Sequence, residues 1–238
     1  RLPGLIMVWF SRLLAGHETP DACLTTRQRQ LLAAWRQLPA AAMSRSHYRS
    51  RYVVVDVEIA GADWQTDPLG VIAVLAVADG LIDFQQALRV DVANGHAASE
   101  ATAPPLLTIG EQRAEALLAF LGFVGKAPLV AYHASFAARR IERAMAESLG
   151  VELRLPWIDL AWVMASLFRE IGDAQAPMDR WLAHFDVESI ERHNAVSDAY
   201  VTAKLLQVTI ARAARDGFET PTSLLELEKA HRHLYQSA

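Results

Sequence analysis

Residues 52–58 read Tyr52-Val53-Val54-Val55-Asp56-Val57-Glu58, an apolar run that carries two carboxylates. β-Branched residues favour strands, whereas charged residues are depleted from strand interiors and are seldom buried unless they are paired or bind a metal. Side chains two positions apart on a strand project from the same face, so Asp56 and Glu58 lie side by side. The run therefore predicts a central strand whose acidic pair can hold a divalent cation. A solvated pair on an edge strand is the alternative interpretation.

A second acidic segment follows about 140 positions later. Residues 192–199 read Arg192-His193-Asn194-Ala195-Val196-Ser197-Asp198-Ala199. We predict a long helix over Ala195–Asp216, so that Asp198 brings a third carboxylate to the pair and completes the oxygen-rich site that Mg²⁺ or Mn²⁺ prefers. Asp198 could also stabilise the helix N-terminus, a role compatible with binding a metal. His193 taken alone is more typical of a surface or capping histidine.

Composition limits the class of protein. The chain has 238 residues, of which 52% are hydrophobic and 21% are charged, which predicts a folded core rather than a disordered chain. A net charge of −4 argues against a protein that coats nucleic acid through bulk positive charge, but it does not exclude an enzyme that grips a few nucleotides through metal ions. Cys23, the single cysteine, favours a cytoplasmic location, and the apolar start is too short to span a bilayer, so no membrane partner is expected.

The order of elements predicts an α/β fold. Three β-rich runs over Tyr52–Val57, Gly70–Ala78 and Leu81–Val90, with a tight turn at Asp79-Gly80, indicate an antiparallel meander. Helices and short strands then alternate, which describes a mixed sheet with helices on its faces. The predicted helices are Glu111–Phe123, Ser135–Leu149, 160–170, 178–185, Ala195–Asp216 and Thr222–Tyr235, and the predicted strands are 128–132 and Arg154–Ile158.

Three segments form the predicted domain organisation. Residues 1–48 are an N-terminal helical extension, residues 49–217 are the main domain, and residues 218–238 are a C-terminal helix packed on that domain. In the extension, Thr25 can cap a helix that carries Leu31, Leu32 and Trp35. This apolar face either packs on the main domain or docks a partner.

From about Tyr52 to Leu206 the chain resembles the DnaQ-like (DEDDh) 3′–5′ exonucleases, a ribonuclease-H-like group that includes the polymerase III epsilon-type proofreading subunits. The segments that carry this resemblance are Asp56-Val57-Glu58, Tyr132-His133-Ala134-Ser135-Phe136-Ala137 and His193-x₄-Asp198. Asp159 also occupies the place of a characteristic family Asp that follows a strand and is not a direct metal ligand. Two of the family's motifs are changed in this chain. The Asp of the second motif is Ala137, and the Thr-Thr after the first motif is Ile59-Ala60.

The resemblance implies a site with two Mg²⁺ or Mn²⁺ ions. Asp56 would bridge both ions, Glu58 and Asp198 would complete the water-bearing site, and His193 would be the general base. Because Ala137 offers no oxygen, the second ion would be held weakly. The residues implied to contact the terminal nucleotide are Ile59, Ala60, His133 and Phe136, with a core role as the alternative for the last two.

Two functions remain open at this stage. The first is a metal-dependent 3′–5′ exonuclease, weakened by Ala137, that releases nucleoside 5′-monophosphates from single-stranded or frayed DNA or RNA 3′ ends. The alternative is a catalytically inactive exonuclease-like domain that binds nucleic acid or a partner protein such as a polymerase.

Overall fold

A six-stranded mixed sheet forms the centre of the computed structural model, which describes residues 24–63, 67–93, 96–97, 109–191 and 194–237. The strands are β1 (Arg51–Ile59), β2 (Leu69–Ala78), β3 (Leu81–Asp91), β4 (His96–Ala97), β5 (Leu129–Ala131) and β6 (Trp157–Asp159), in the spatial order β4-β3-β2-β1-β5-β6. The helices are α1 (Thr26–Arg36), α2 (Ile109–Val124), α3 (Ala134–Leu149), α4 (Leu160–Leu167), α5 (Met178–His184), α6 (Ala195–Arg215) and α7 (Pro221–Gln236).

The predicted meander and parallel strands are confirmed. β1 pairs antiparallel with β2, β2 pairs antiparallel with β3, and β5 and β6 continue the sheet in parallel on the other side of β1. The turn between β2 and β3 has Asp79 at φ 54° and Gly80 at φ 80°, which is the left-handed pair that a tight hairpin turn requires. The strand predicted over Arg154–Ile158 begins only at Trp157.

Successive side chains along β1 point to opposite faces of the sheet, so they belong to two different core clusters. Val53 and Val55 belong to the cluster that includes α2 and α3, whereas Tyr52 and Val54 belong to the cluster that includes α4 and α6. Asp56 pairs with Ala73, a member of the second cluster, so Asp56 lies on the α6 face of the sheet. The edge-strand interpretation of the acidic pair is wrong, because β1 lies between β2 and β5.

Helix α1 packs on the main sheet-and-helix core. Thr25 and Gln28 form the predicted capping box at its start. Leu32 and Trp35 are buried in the cluster that contains α2, and the Trp35 indole N–H donates to the Gly125 carbonyl at 2.8 Å. Leu31 is exposed. Of the two alternatives for this apolar face, the structure therefore shows packing for Leu32 and Trp35. The placement of domain boundaries stays a prediction.

No helix in the described part of the chain is long and apolar enough to cross a bilayer. The cytoplasmic location stays a prediction.

A buried histidine joins β1 to the segment before α7. The His47 Nε2–H donates to the Phe218 carbonyl at 2.8 Å, so Nδ1 accepts from the Tyr52 hydroxyl at 2.6 Å. His47 is fully buried, and this burial lowers its pKa below the ordinary 6.5. Burial therefore favours the neutral form of the His47 ring in the folded protein.

Stability should fall with acidification because of this histidine. Between its folded pKa and 6.5 the unfolded chain binds more protons at His47 than the folded chain. The free energy of unfolding therefore decreases as the pH drops through that window, by about 1.4 kcal/mol per pH unit at most. We expect His47→Gln to lose this part of the slope in urea unfolding curves recorded between about pH 5 and 7.5. Replacing the exposed His184 with Gln is the control. A His47→Gln profile parallel to that of the wild type would contradict the assignment.

Candidate active site

The end of β1 meets the start of α6 through a direct contact. The Glu58 Oε1 accepts the backbone N–H of Ala195 at 2.6 Å, and Ala195 is the first residue of α6. This N–H is one of the groups that a helix start leaves without an intrahelical partner, and the carboxylate also meets the positive end of the helix dipole. Asn194 caps the helix by accepting from Val196 and Ser197. Asp198 lies in the same first turn, so the structure brings Glu58 to the turn that carries Asp198.

The local register after Glu58 shapes the end of the strand. The pairing of β1 with β2 shifts between Glu58 and Ile59. Opposite this point, a Cβ on Gly70 would lie 3.0 Å from the backbone of Ile59 and Ala60, so glycine permits the close approach. Bulges of this kind are common beside active sites. Ile59 is half-buried and Ala60 is exposed, and their predicted role in binding the terminal nucleotide stays a prediction.

The chemistry of the acidic residues suits a hard cation, although their arrangement is not a preformed cage. Asp56, Glu58 and Asp198 supply carboxylate oxygens, which Mg²⁺ and Mn²⁺ prefer. Within the described ranges, however, no group of three His, Cys, Asp or Glu side chains is arranged to hold a metal ion. One carboxylate oxygen of Glu58 is occupied by the Ala195 N–H. His193 lies outside the described residues, and the four catalytic and metal-binding assignments stay predictions.

The second motif forms the turn between β5 and α3. His133 has a left-handed φ of 58° and directly precedes the first residue of α3. Its side chain is exposed, so the core interpretation of His133 is wrong. Phe136 is half-buried, with the Arg140 guanidinium 5.5 Å from its ring centroid. Both residues remain candidates for contact with a substrate.

Ala137 is buried among apolar groups. It is 4% exposed and packs with Ala131 and Ala134, and Val57 and Trp157 are packed against this small cluster. The Trp157 indole Nε1 is buried and has no hydrogen-bond partner among the residues that the structure describes. A carboxylate introduced at position 137 would therefore enter a largely apolar environment beside the Trp157 donor.

Asp159 holds the second-motif turn in place. Its Oδ1 accepts the His133 N–H at 3.1 Å and the Ala161 N–H at 3.2 Å, and its Oδ2 accepts from the Arg232 guanidinium at 2.7 Å. Burial raises the pKa of Asp159, and the charge of Arg232 opposes that rise. Both oxygens are engaged in these hydrogen bonds, and the expectation that Asp159 is not a direct metal ligand stays a prediction.

Helix α7 supplies the partners that the sequence analysis missed. Glu228 accepts the Asp159 backbone N–H at 2.8 Å and the Arg232 Nε–H at 2.9 Å. The i, i+4 spacing of Glu228 and Arg232 predicts a pair on one helix face. Nothing in the sequence indicates that this pair reaches Asp159, about 70 positions earlier.

Comparison with known proteins gives matches of low identity. No protein-family profile matches the chain. The chain is 25% identical over 187 residues to a PolC-type DNA polymerase III of Thermotoga petrophila and 25% identical over 182 residues to that of Thermotoga maritima, which covers 77% and 75% of this chain. The chain spans only 13% of the length of these curated relatives. Among solved structures, exonuclease X in complex with 5′-overhanging duplex DNA matches with a TM-score of 0.50 and 18% identity, over 74% of this chain and 99% of that chain.

These findings define the class of fold. The mixed sheet with a meander, parallel strands and flanking helices is ribonuclease-H-like. The chain therefore shares its fold with exonuclease X, and the ribonuclease-H-like fold predicted from the sequence is confirmed.

Proposed function

We propose that this chain is a metal-dependent 3′–5′ exonuclease that acts on single-stranded or frayed 3′ ends of DNA or RNA. The observation that carries the proposal is the contact between Glu58 and Ala195, which joins the acidic end of β1 to the helix turn that bears Asp198. A polymerase is the candidate protein partner, because the relatives with matching sequence are PolC-type polymerases.

Different residues would have different roles in hydrolysis. Asp56, Glu58 and Asp198 would hold Mg²⁺ or Mn²⁺, which when bound activates a water and neutralises charge on the scissile phosphate. A neutral imidazole nitrogen of His193 would take the proton from the attacking water. Four residues would contact the terminal nucleotide. His133 and Ala60 are exposed, and Ile59 and Phe136 are half-buried.

The buried Ala137 favours a second candidate function. Where the family has a carboxylate, this chain has a methyl group in an apolar cluster, so the second ion lacks a ligand from α3. The resulting site would be weakened, or the domain would bind nucleic acid without cleaving it.

Adding the missing carboxylate should distinguish these functions. We expect the wild type to shorten a 5′-labelled single-stranded oligonucleotide stepwise from its 3′ end in Mn²⁺, and Ala137→Asp to do so about 10-fold faster because a further ligand for the second ion stabilises the transition state. Gel analysis of the product ladder measures the rate and the direction of cleavage.

The neighbouring substitution Ala138→Asp is the matched control, because it adds the same charge one position along α3. Thermal unfolding of all three proteins verifies that the Asp at the buried position is tolerated. If neither the wild type nor a folded Ala137→Asp shortens the strand, and the strand still binds in a fluorescence anisotropy assay, the exonuclease proposal is wrong. The chain is then a nucleic-acid-binding module.

A further inference from the structure

An apolar pocket of about 200 Å³ lies beside the candidate site, between β3 and the start of α6. Its lining includes Phe84 from β3 and, from α6, Val196 and Ala199, which lie two positions before and one position after Asp198. Phe84 is 68% exposed and Val196 is 46% exposed. The pocket therefore presents apolar surface to solvent directly beside one of the predicted metal ligands.

A bulge in β3 directs Phe84 towards this pocket. Leu75 of β2 pairs with Ala87 and the next residue pairs with Asp83, so residues 84–86 have no partner on β2. The Asp83 carboxylate accepts the Gln85 N–H at 3.0 Å and the Gln86 side-chain amide at 2.7 Å, which stabilises the bulge. Such bulges reorient a side chain. The Phe84 ring contacts the Tyr200 ring of α6 with centroids 5.7 Å apart.

A positively charged side chain, that of Arg89, lies at the edge of the pocket. Arg89 is in the same row of the sheet as Asp56. Asp56 pairs with Ala73, and Ala73 pairs with Arg89, so all three side chains lie on the α6 face. The backbones of Arg89 and Asp56 are two strand spacings apart, which is about 9.6 Å across the sheet. Arg89 is exposed and forms no ion pair with any described residue. Lys204 lies over the Tyr200 ring at 5.5 Å.

We propose that this pocket binds an unpaired nucleobase of the substrate strand, stacked on Phe84, with Arg89 bound to an adjacent phosphate. The inference deepens the proposed exonuclease function and rests on it. A nucleobase offers a flat π-face for the exposed phenyl ring, and its neighbouring phosphates complement Arg89 and Lys204. Because the base must be unpaired to enter, the subsite selects single-stranded or frayed ends. It also requires a substrate longer than the terminal nucleotide.

Oligonucleotides that lack single bases test the pocket directly. The probes are 5′-fluorescein oligothymidylates that carry one abasic site at each of the four 3′-terminal positions, or far from the end as a reference. We expect one near-terminal abasic site to weaken wild-type binding and slow the first cleavage about 5- to 150-fold, the range for loss of one base–aromatic stack. Phe84→Ala should bind the intact strand equally weakly and should show no further loss with the abasic probe.

Salt dependence tests the role of Arg89 separately. Removing one phosphate contact should reduce the slope of log K against log salt by about 0.7 for a single strand. We therefore expect Arg89→Gln to lower this slope, whereas Phe84→Ala should leave it unchanged. Leu81→Ala is the matched control, because Leu81 is 69% exposed on the same strand but lies beside the hairpin turn, away from the pocket.

Each result has one meaning. If the wild type shortens 3′ ends but Phe84→Ala behaves like Leu81→Ala and the abasic profile is flat, the subsite is wrong and the exonuclease proposal stands. If the wild type neither binds nor shortens any probe, the exonuclease proposal itself fails. If Phe84→Ala binds nucleic acid normally but loses a dimer seen for the wild type by size-exclusion chromatography, the pocket binds a second copy of the chain, and the inference is overturned.

Discussion

Replacing Asp56 with Asn should lower the rate of 3′-end shortening about 1,000-fold at saturating Mn²⁺, because Asp56 would hold the metal ion that activates the attacking water. Asp56 lies on the central strand of the sheet, on the same face as α6, and it is half-buried. The substitution removes the charge of one of the three carboxylates that would hold the metal in the proposed mechanism. Initial rates on a 5′-labelled single strand give the measurement.

Glu170→Gln serves as the control, because Glu170 is an exposed acid that lies on neither β1 nor α6. It should retain the wild-type rate. Thermal unfolding of Asp56→Asn separates loss of ligand from loss of fold. A folded Asp56→Asn protein with at least a tenth of the wild-type rate would show that Asp56 does not hold the catalytic ion.

The second large effect concerns stability and the contact between α7 and the second-motif turn. Replacing Arg232 with Met should lower the free energy of unfolding by about 3 kcal/mol, because it leaves a buried carboxylate without its charge partner. The Asp159 side chain is only 2% exposed and that of Arg232 is 32% exposed, so we take the lower end of the range for a broken buried pair. Urea unfolding near neutral pH measures the loss.

The loss should shrink as the pH falls. Burial raises the pKa of Asp159, and the loss of Arg232 removes the largest of the contributions that oppose that rise, which leaves the charge of His133 and the hydrogen bond from Ala161. The folded variant then binds more protons than the unfolded chain above the ordinary pKa of 3.8, so its stability rises as the pH decreases towards 3.8. The difference between variant and wild type should therefore be smaller at acidic pH than at neutral pH.

A matched pair elsewhere in the chain isolates the effect of burial. Arg212 in the last turn of α6 and Asp216, the residue that directly follows the helix, form an i, i+4 pair at 2.8 Å, close to the 2.7 Å of the Arg232–Asp159 pair, but Asp216 is 39% exposed. Arg212→Met should therefore cost much less than Arg232→Met, because solvent screens the exposed carboxylate. The double variant Asp159→Asn/Arg232→Met should recover part of the loss. Equal effects of the two Arg→Met changes would contradict the buried-pair account.

Much of the fold follows from local patterns along the chain. The valine-rich run around Asp56 predicts a central strand because few other environments accept so many β-branched side chains. Asp79-Gly80 predicts the hairpin because both residues tolerate a positive φ. The capping box of Thr25 and Gln28 also depends only on residues three apart. Such features are predictable because neighbours in sequence determine them.

Other features depend on contacts between residues that are distant in sequence. The β3 bulge at Phe84 results from the register of β3 on β2, and apolar content alone does not indicate it. The exposure of His133 results from the way Asp159 and α7 hold its turn, which explains why the core interpretation failed. Leu32 of α1 is buried in the cluster that contains α2, and this contact between distant segments likewise could not be predicted from the sequence.

The sequence by itself determined the acidic strand, the order of helices and strands, and the alanine at position 137, because side-chain type and local periodicity encode them. Only the tertiary structure decided that Glu58 contacts the start of α6, that Arg232 pairs with Asp159, and that an apolar pocket forms between Phe84 and the first turn of α6. The physical reason is that these contacts join residues far apart in sequence, and their geometry exists only after the sheet has brought the separate segments together.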